Sequence, residues 1–192
     1  MKTLIINGSP RKNGDTVTLI NEMVKHLKGE VKIVNTYYDN IKPCVDCRYC
    51  WTHAGCAIKD DMQEIYKDLN EVDNVILASP LYFSQLTGSL LNFASRFQYL
   101  FVSKKIRMDE NFSLKKKHGA LILVGGGDTK DLTNVLSTSK ILFGQMGVRS
   151  IGNVFSLHTD TVCGLIGTRA KDDTEALNSA REIALKLNEL YI

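Results

Sequence analysis

Short apolar runs rich in β-branched residues alternate with segments whose apolar residues recur every three or four positions, from one end of the 192-residue chain to the other. A continuous apolar run that short is a strand covered on both faces rather than a helix. The segments 3–7 (TLIIN), 31–36 (VKIVNT), 74–79 (NVILAS), 119–124 (GALILV) and 150–155 (SIGNVF) read this way. Each is followed by a helical stripe. The stripes are Ile20, Met23, Val24 and Leu27, stopped by Gly29; Met62, Ile65, Tyr66 and Leu69, after Asp61 and Glu64 at capping-box spacing; Leu90, Ala94, Phe97 and Phe101; Leu132, Val135, Leu136, Leu142 and Met146, closed by Gly147; and Ala176, Leu177, Ala180, Ile183, Ala184, Leu187 and Tyr191. Strand and helix in strict alternation predict a mostly parallel sheet with helices on both faces.

Five strands and five helices on a chain of this length suit an α/β, flavodoxin-like, doubly wound fold with strand order 2-1-3-4-5. Residues 1–192 are expected to form a single domain. The long irregular stretches are 39–60, which carries the cysteines, 103–118 and 156–172. A net charge of +3 without a basic, aromatic-studded stripe argues against nucleic acid as a partner. No apolar stretch approaches the roughly 20 residues that span a bilayer. The apolar run Thr3–Ile6 is too short for a signal peptide, so a cytoplasmic location is expected. In a reducing compartment five cysteines point to metal, redox chemistry or packing before disulfides.

Ligands of doubly wound folds bind beyond the carboxyl ends of the strands. The loop after the first strand, NGSPRKNGDT (7–16), opens a helix, whose first-turn amides attract an anion. It is not a nucleoside-triphosphate loop, because Gly8 and Gly14 are one residue too far apart and Asp15 stands where lysine is required. The dinucleotide pattern fails for want of a second glycine after Ser9. What remains is Ser9, Arg11, Asn13 and Thr16, suited to one terminal phosphate; the plainer alternative is a solvated turn with a polar cap. Two neighbouring loops bear on the choice. SPLYFSQLTG (79–88) offers Pro80, Leu81, Tyr82 and Phe83 as a wall for a flat ring, and VGGGDT (124–129) offers backbone at Gly125, Gly126 and Gly127. Separately, these aromatics could be core and these glycines simple turns. Together the loops describe a site for a mononucleotide with a large planar ring, which flavin mononucleotide (FMN) fits.

These three loops resemble those of the NADPH-dependent FMN reductase family, and the resemblance extends over essentially the whole chain. It implies that Ser9, Arg11, Asn13 and Thr16 hold the FMN phosphate, that Pro80, Leu81, Tyr82 and Phe83 line the isoalloxazine, and that Gly125, Gly126 and Gly127 approach its other edge. Asp15 departs from the family pattern and is expected to cap the helix. Cys44, Cys47, Cys50 and Cys56 form a C-x2-C-x2-C-x5-C array, whose spacing resembles the [4Fe–4S] motif of iron–sulfur flavoproteins, a branch of the same family. A structural zinc site and four reduced thiols stay open beside the cluster. Cys163 reads as a packed or interface cysteine, and the run Lys115–Lys117 as a solvated face. The resemblance implies an oxidoreductase using FMN and NAD(P)H, or a protein donor, to reduce a small-molecule acceptor or redox protein, and a homodimer or larger homo-oligomer. The alternative is a non-enzymatic, flavodoxin-like electron carrier.

Overall fold

Five parallel strands pair in the order β2-β1-β3-β4-β5, the order expected of a flavodoxin-like fold. β1 (Lys2–Asn7) lies between β2 (Glu30–Asn35) and β3 (Asn74–Pro80), and β4 (Lys117–Gly125) and β5 (Val148–Leu157) extend the sheet beyond β3. The structure is a computed structural model and describes residues 1–110, 112–127, 131–161 and 166–191. The expectation for Cys163 lies outside them.

Side chains of a strand alternate between faces, and here both faces are covered. Leu4 and Ile6 join Leu77, Leu121 and Leu123 beneath α3 (Met62–Glu71), α4 (Gly88–Ser95) and α6 (Thr133–Gln145). Ile5 joins Ile76, Ala78 and Ile122 on the opposite face, beneath α1 (Asp15–His26) and α7 (Thr174–Glu189). Each fully buried Leu or Ile contributes about 1.5–3 kcal/mol. The buried alanines 176, 180 and 184 form a thin stripe along α7 where it packs against α1. Gly29, two residues past the C-cap of α1, has φ +82° and lies so close to Met1 that a Cβ would sit 2.1 Å from the Met1 carbonyl oxygen.

Several local expectations are corrected. The predicted third helix is two, α4 and α5 (Gln98–Lys105), because the chain tightens at Arg96 and Phe97, whose amides bond three residues back to Phe93 and Ala94. The Arg96 carbonyl turns instead to the Tyr66 hydroxyl, at 2.8 Å. One extra turn of helix, α2 (Tyr49–Thr52), lies in the cysteine loop. The capping box does not form: Asp61 has helical angles and accepts the Asn40 amide, while Asp60 takes the Met62 amide. Lys117 is not solvated but 2% exposed, its ammonium donating to the carbonyls of Met146, at the end of α6, and Lys115. Among the described residues no helix is long and apolar enough to cross a membrane.

Candidate functional site

Sheet pairing carries the three loops to one place. The Gly8 amide donates to the Ala78 carbonyl and the Leu81 amide to the Val124 carbonyl, each at 2.7 Å, so the backbones stay paired just past the strand ends and then splay. They enclose a cavity of about 320 Å3, lined by Ser9, Pro10, Arg11, Gly14, Asp15, Thr16, Pro80, Leu81, Tyr82, Val124, Gly126, Gly127, Thr159 and Asp160. That volume falls at the small end of ligand pockets.

On the α1 side, Asn7 Oδ1 accepts the Ser9 amide at 3.0 Å and Ser9 Oγ accepts the Arg11 amide at 3.2 Å, which fixes the turn. Gly14 caps α1 without a side-chain acceptor, leaving the first-turn amides to an outside anion. Thr87 ties this loop to the next. Its hydroxyl donates to the Gly8 carbonyl at 2.8 Å and accepts from the Leu90 amide at the start of α4, while its amide donates to Ser79 Oγ at 3.1 Å.

Eight of the eleven residues expected to hold FMN thus line one cavity: Ser9, Arg11, Thr16, Pro80, Leu81, Tyr82, Gly126 and Gly127. Asn13, Phe83 and Gly125 do not. Asn13 is exposed on the outside of the turn. Phe83 and Ser84 occupy a two-residue hairpin turn, with φ of 53° and 56°, closed by mutual bonds of Tyr82 and Gln85, and Phe83 stands fully in solvent. Gly125 is still strand, and its carbonyl accepts from the amide and hydroxyl of Thr159. Sequence reasoning missed Thr159 and Asp160, which come from beyond β5. Gly126 explains part of their placement: a Cβ there would lie 2.3 Å from Asp160 Oδ2.

Asp15 does not cap α1. It is 7% exposed and accepts from Arg169 Nε at 2.8 and 3.0 Å and from the Ala170 amide at 2.9 Å. Burial alone would raise its carboxyl, but the bonds from Arg169 and Ala170 outweigh it and hold the group below its ordinary value.

The cysteine loop forms a second centre. Cys44, Cys47, Cys50 and Cys56 line one small pocket with Arg48, Trp51, Arg96 and Tyr99. Burial pushes the Cys50 thiol up, and the nearby Cys56, Cys44 and Cys47 push it further. Neighbouring elements grip the loop. Ser95 of α4 accepts the Cys44 amide at 2.9 Å, Gln63 of α3 holds the Cys56 carbonyl at 3.1 Å, and Arg107, just past α5, holds the carbonyls of Cys50 and His53. Arg96, wholly buried, pairs with Asp60 through both terminal nitrogens and donates to Cys56 Sγ at 3.4 Å. Among the described residues no three His, Cys, Asp or Glu side chains converge tightly enough to hold a single metal ion.

The sequence profile of the NADPH-dependent FMN reductases matches residues 1–162. The chain belongs to that family. As an NADPH-dependent FMN reductase family member it is an NAD(P)H-dependent oxidoreductase that works through FMN. An iron–sulfur flavoprotein of Methanocaldococcus jannaschii is 28% identical over 99% of this chain and 97% of its own length. Another, from Methanosarcina thermophila, is 29% identical over 97% of this chain and 93% of its own. In fold the chain is similar to the NAD(P)H:quinone oxidoreductase of Methanothermobacter marburgensis, with a TM-score of 0.71 at 15% identity, covering 97% of this chain and 96% of the other.

Proposed function

We propose that the cavity at the strand ends holds FMN, that the four cysteines hold a [4Fe–4S] cluster, and that the chain passes electrons from NAD(P)H or a protein donor to a small acceptor or redox protein. The observation that carries the FMN reading is the cavity itself: an uncapped helix start, an aromatic and apolar wall and a glycine edge meet there. Arg11, Ser9, Thr16 and the first-turn amides of α1 hold the phosphate; Pro80, Leu81 and Tyr82 form the wall; Gly126 and Gly127 let the backbone approach the ring. Bound FMN supplies hydride exchange with nicotinamide and single-electron delivery. The residues contribute binding, orientation and shielding from water.

For the cluster, the support is one pocket shared by four thiols that neighbouring helices already position. Cys44, Cys47, Cys50 and Cys56 would hold the cluster through their thiolates, and it would supply single-electron transfer. The names of the curated relatives point the same way. Phe83, fully exposed beside the cavity, suits a face covered by a second copy of the chain in a homo-oligomer.

Protein purified without air tests these readings. A flavin spectrum with iron and sulfide in equal amounts, and steady oxidation of NAD(P)H, are expected. Refusal of added FMN removes the flavin site, absence of iron after anaerobic reconstitution removes the cluster, and a single-chain mass in sedimentation removes the oligomer.

A further inference from the structure

An acid is a poor neighbour for a phosphate, yet among the described residues that line this cavity two are acids, Asp15 and Asp160, and one is a cation, Arg11. Asp15 occupies the first turn of α1, where the anion would sit. The imbalance is corrected from a distant part of the chain. Arg169, between β5 and α7, lays its Nε against both Asp15 oxygens, at 2.8 and 3.0 Å. Asp160 lies near enough to add to the field that keeps its guanidinium charged. Its side chain is 52% exposed, and among the described residues its two terminal nitrogens have no hydrogen-bond partner.

We propose that Arg169 is a positioning residue that makes the cavity selective for a phosphorylated flavin, by cancelling the charge of Asp15 beside the anion loop and turning the rest of its fork outward. The proposal rests on the reading of this cavity as the FMN site. With Arg169 in place the charge of Asp15 is offset, and the helix amides act on the phosphate without its opposition. Without it, a buried carboxylate faces the incoming dianion. Asp15 also accepts the Ala170 amide, so the pair could instead serve only to anchor the loop. Charge and anchoring are separable, because asparagine at position 15 keeps an acceptor for that amide and loses the charge.

The test is titration of apoprotein with FMN and with riboflavin, which lacks the phosphate, followed by flavin fluorescence. Wild type should prefer FMN. Arg169→Gln should weaken FMN by about tenfold and change riboflavin by less than about twofold. Arg169→Lys should keep most of the preference, and Asp15→Asn/Arg169→Gln should restore FMN binding towards wild type. Thermal melts of each apoprotein report folding; if Arg169→Gln does not fold, Asp15→Asn alone is the measurement, and it should tighten FMN without affecting riboflavin. Equal loss of both ligands in Arg169→Gln, or a double variant no better than the single one, overturns the proposal. So does a wild type that binds both flavins equally, which leaves the flavin site standing. A wild type that binds neither removes the FMN reading itself.

Discussion

Arg96 is among the largest side chains buried in the protein, and its guanidinium reaches Asp60, the Lys42 carbonyl and Cys56 Sγ. Burial works against its charge, and Asp60 together with the neighbouring Tyr66 and Cys56 more than compensates. Removing one partner of such a pair strands the other in the interior, so Arg96→Met should destabilise the fold by about 3–5 kcal/mol in urea unfolding. A loss below about 1 kcal/mol would match an exposed pair and refute this account. Lys117 is the opposite case, a buried ammonium with only carbonyls for partners, and burial lowers it from 10.5 to about 8. Between those values the unfolded chain binds more protons than the folded one, so this residue makes stability rise with pH across that window. The difference corresponds to roughly 3 kcal/mol. Wild-type stability relative to Lys117→Met should therefore increase from pH 8 to 10, and a constant difference would show that the lysine is not depressed.

At the scale of elements, Thr87 caps α4 and also holds the Gly8 carbonyl, so one hydroxyl serves a helix and the loop that lines the cavity. Thr87→Ala should lower stability by about 1–2 kcal/mol and weaken FMN binding as well, read by melting and fluorescence titration; loss of stability with unaltered binding would uncouple the two. The turn at Phe83 and Ser84 is strained, since both residues have positive φ. Ser84→Gly should raise stability by about 1 kcal/mol in a melt. Nothing in PLYFSQ announces that turn, which lacks the usual Asn-Gly, so the sequence reads Phe83 as part of the ring wall. Asp61 misled for a related reason: its spacing to Glu64 is that of a cap, but Arg96 holds Asp60 in the place from which the Met62 amide is reached. Local spacing predicts local geometry only when no distant charge competes.

Over the whole molecule, Asp15 and Asp60 each anchor a long loop, and both carboxyls lie below their ordinary value despite burial. Their contribution is complete above the pKa of the unfolded chain, about 4, and is lost as pH falls through the depressed values. Acid unfolding should therefore loosen the two loops, and Asp60→Asn should flatten the acid limb of the stability curve; an unchanged limb would assign acid sensitivity elsewhere. The alternation of strand and helix was legible in the sequence because five apolar runs and their helices repeat one period, while the strand order came from the fold that this alternation suits; eight cavity residues were legible because they follow strand ends. Thr159, Asp160 and Arg169 were not, since they arrive from a loop placed by contacts distant in sequence, to Gly125 and Gly126 after β4 and to Asp15 at the start of α1. The cysteine segment is held by Ser95, Gln63, Arg96 and Arg107, all of them protein groups. On the reading that the four thiols hold a cluster, these anchors would keep the segment in place once iron and sulfide are stripped by chelation, and reconstitution should restore the cluster without refolding of the rest of the chain.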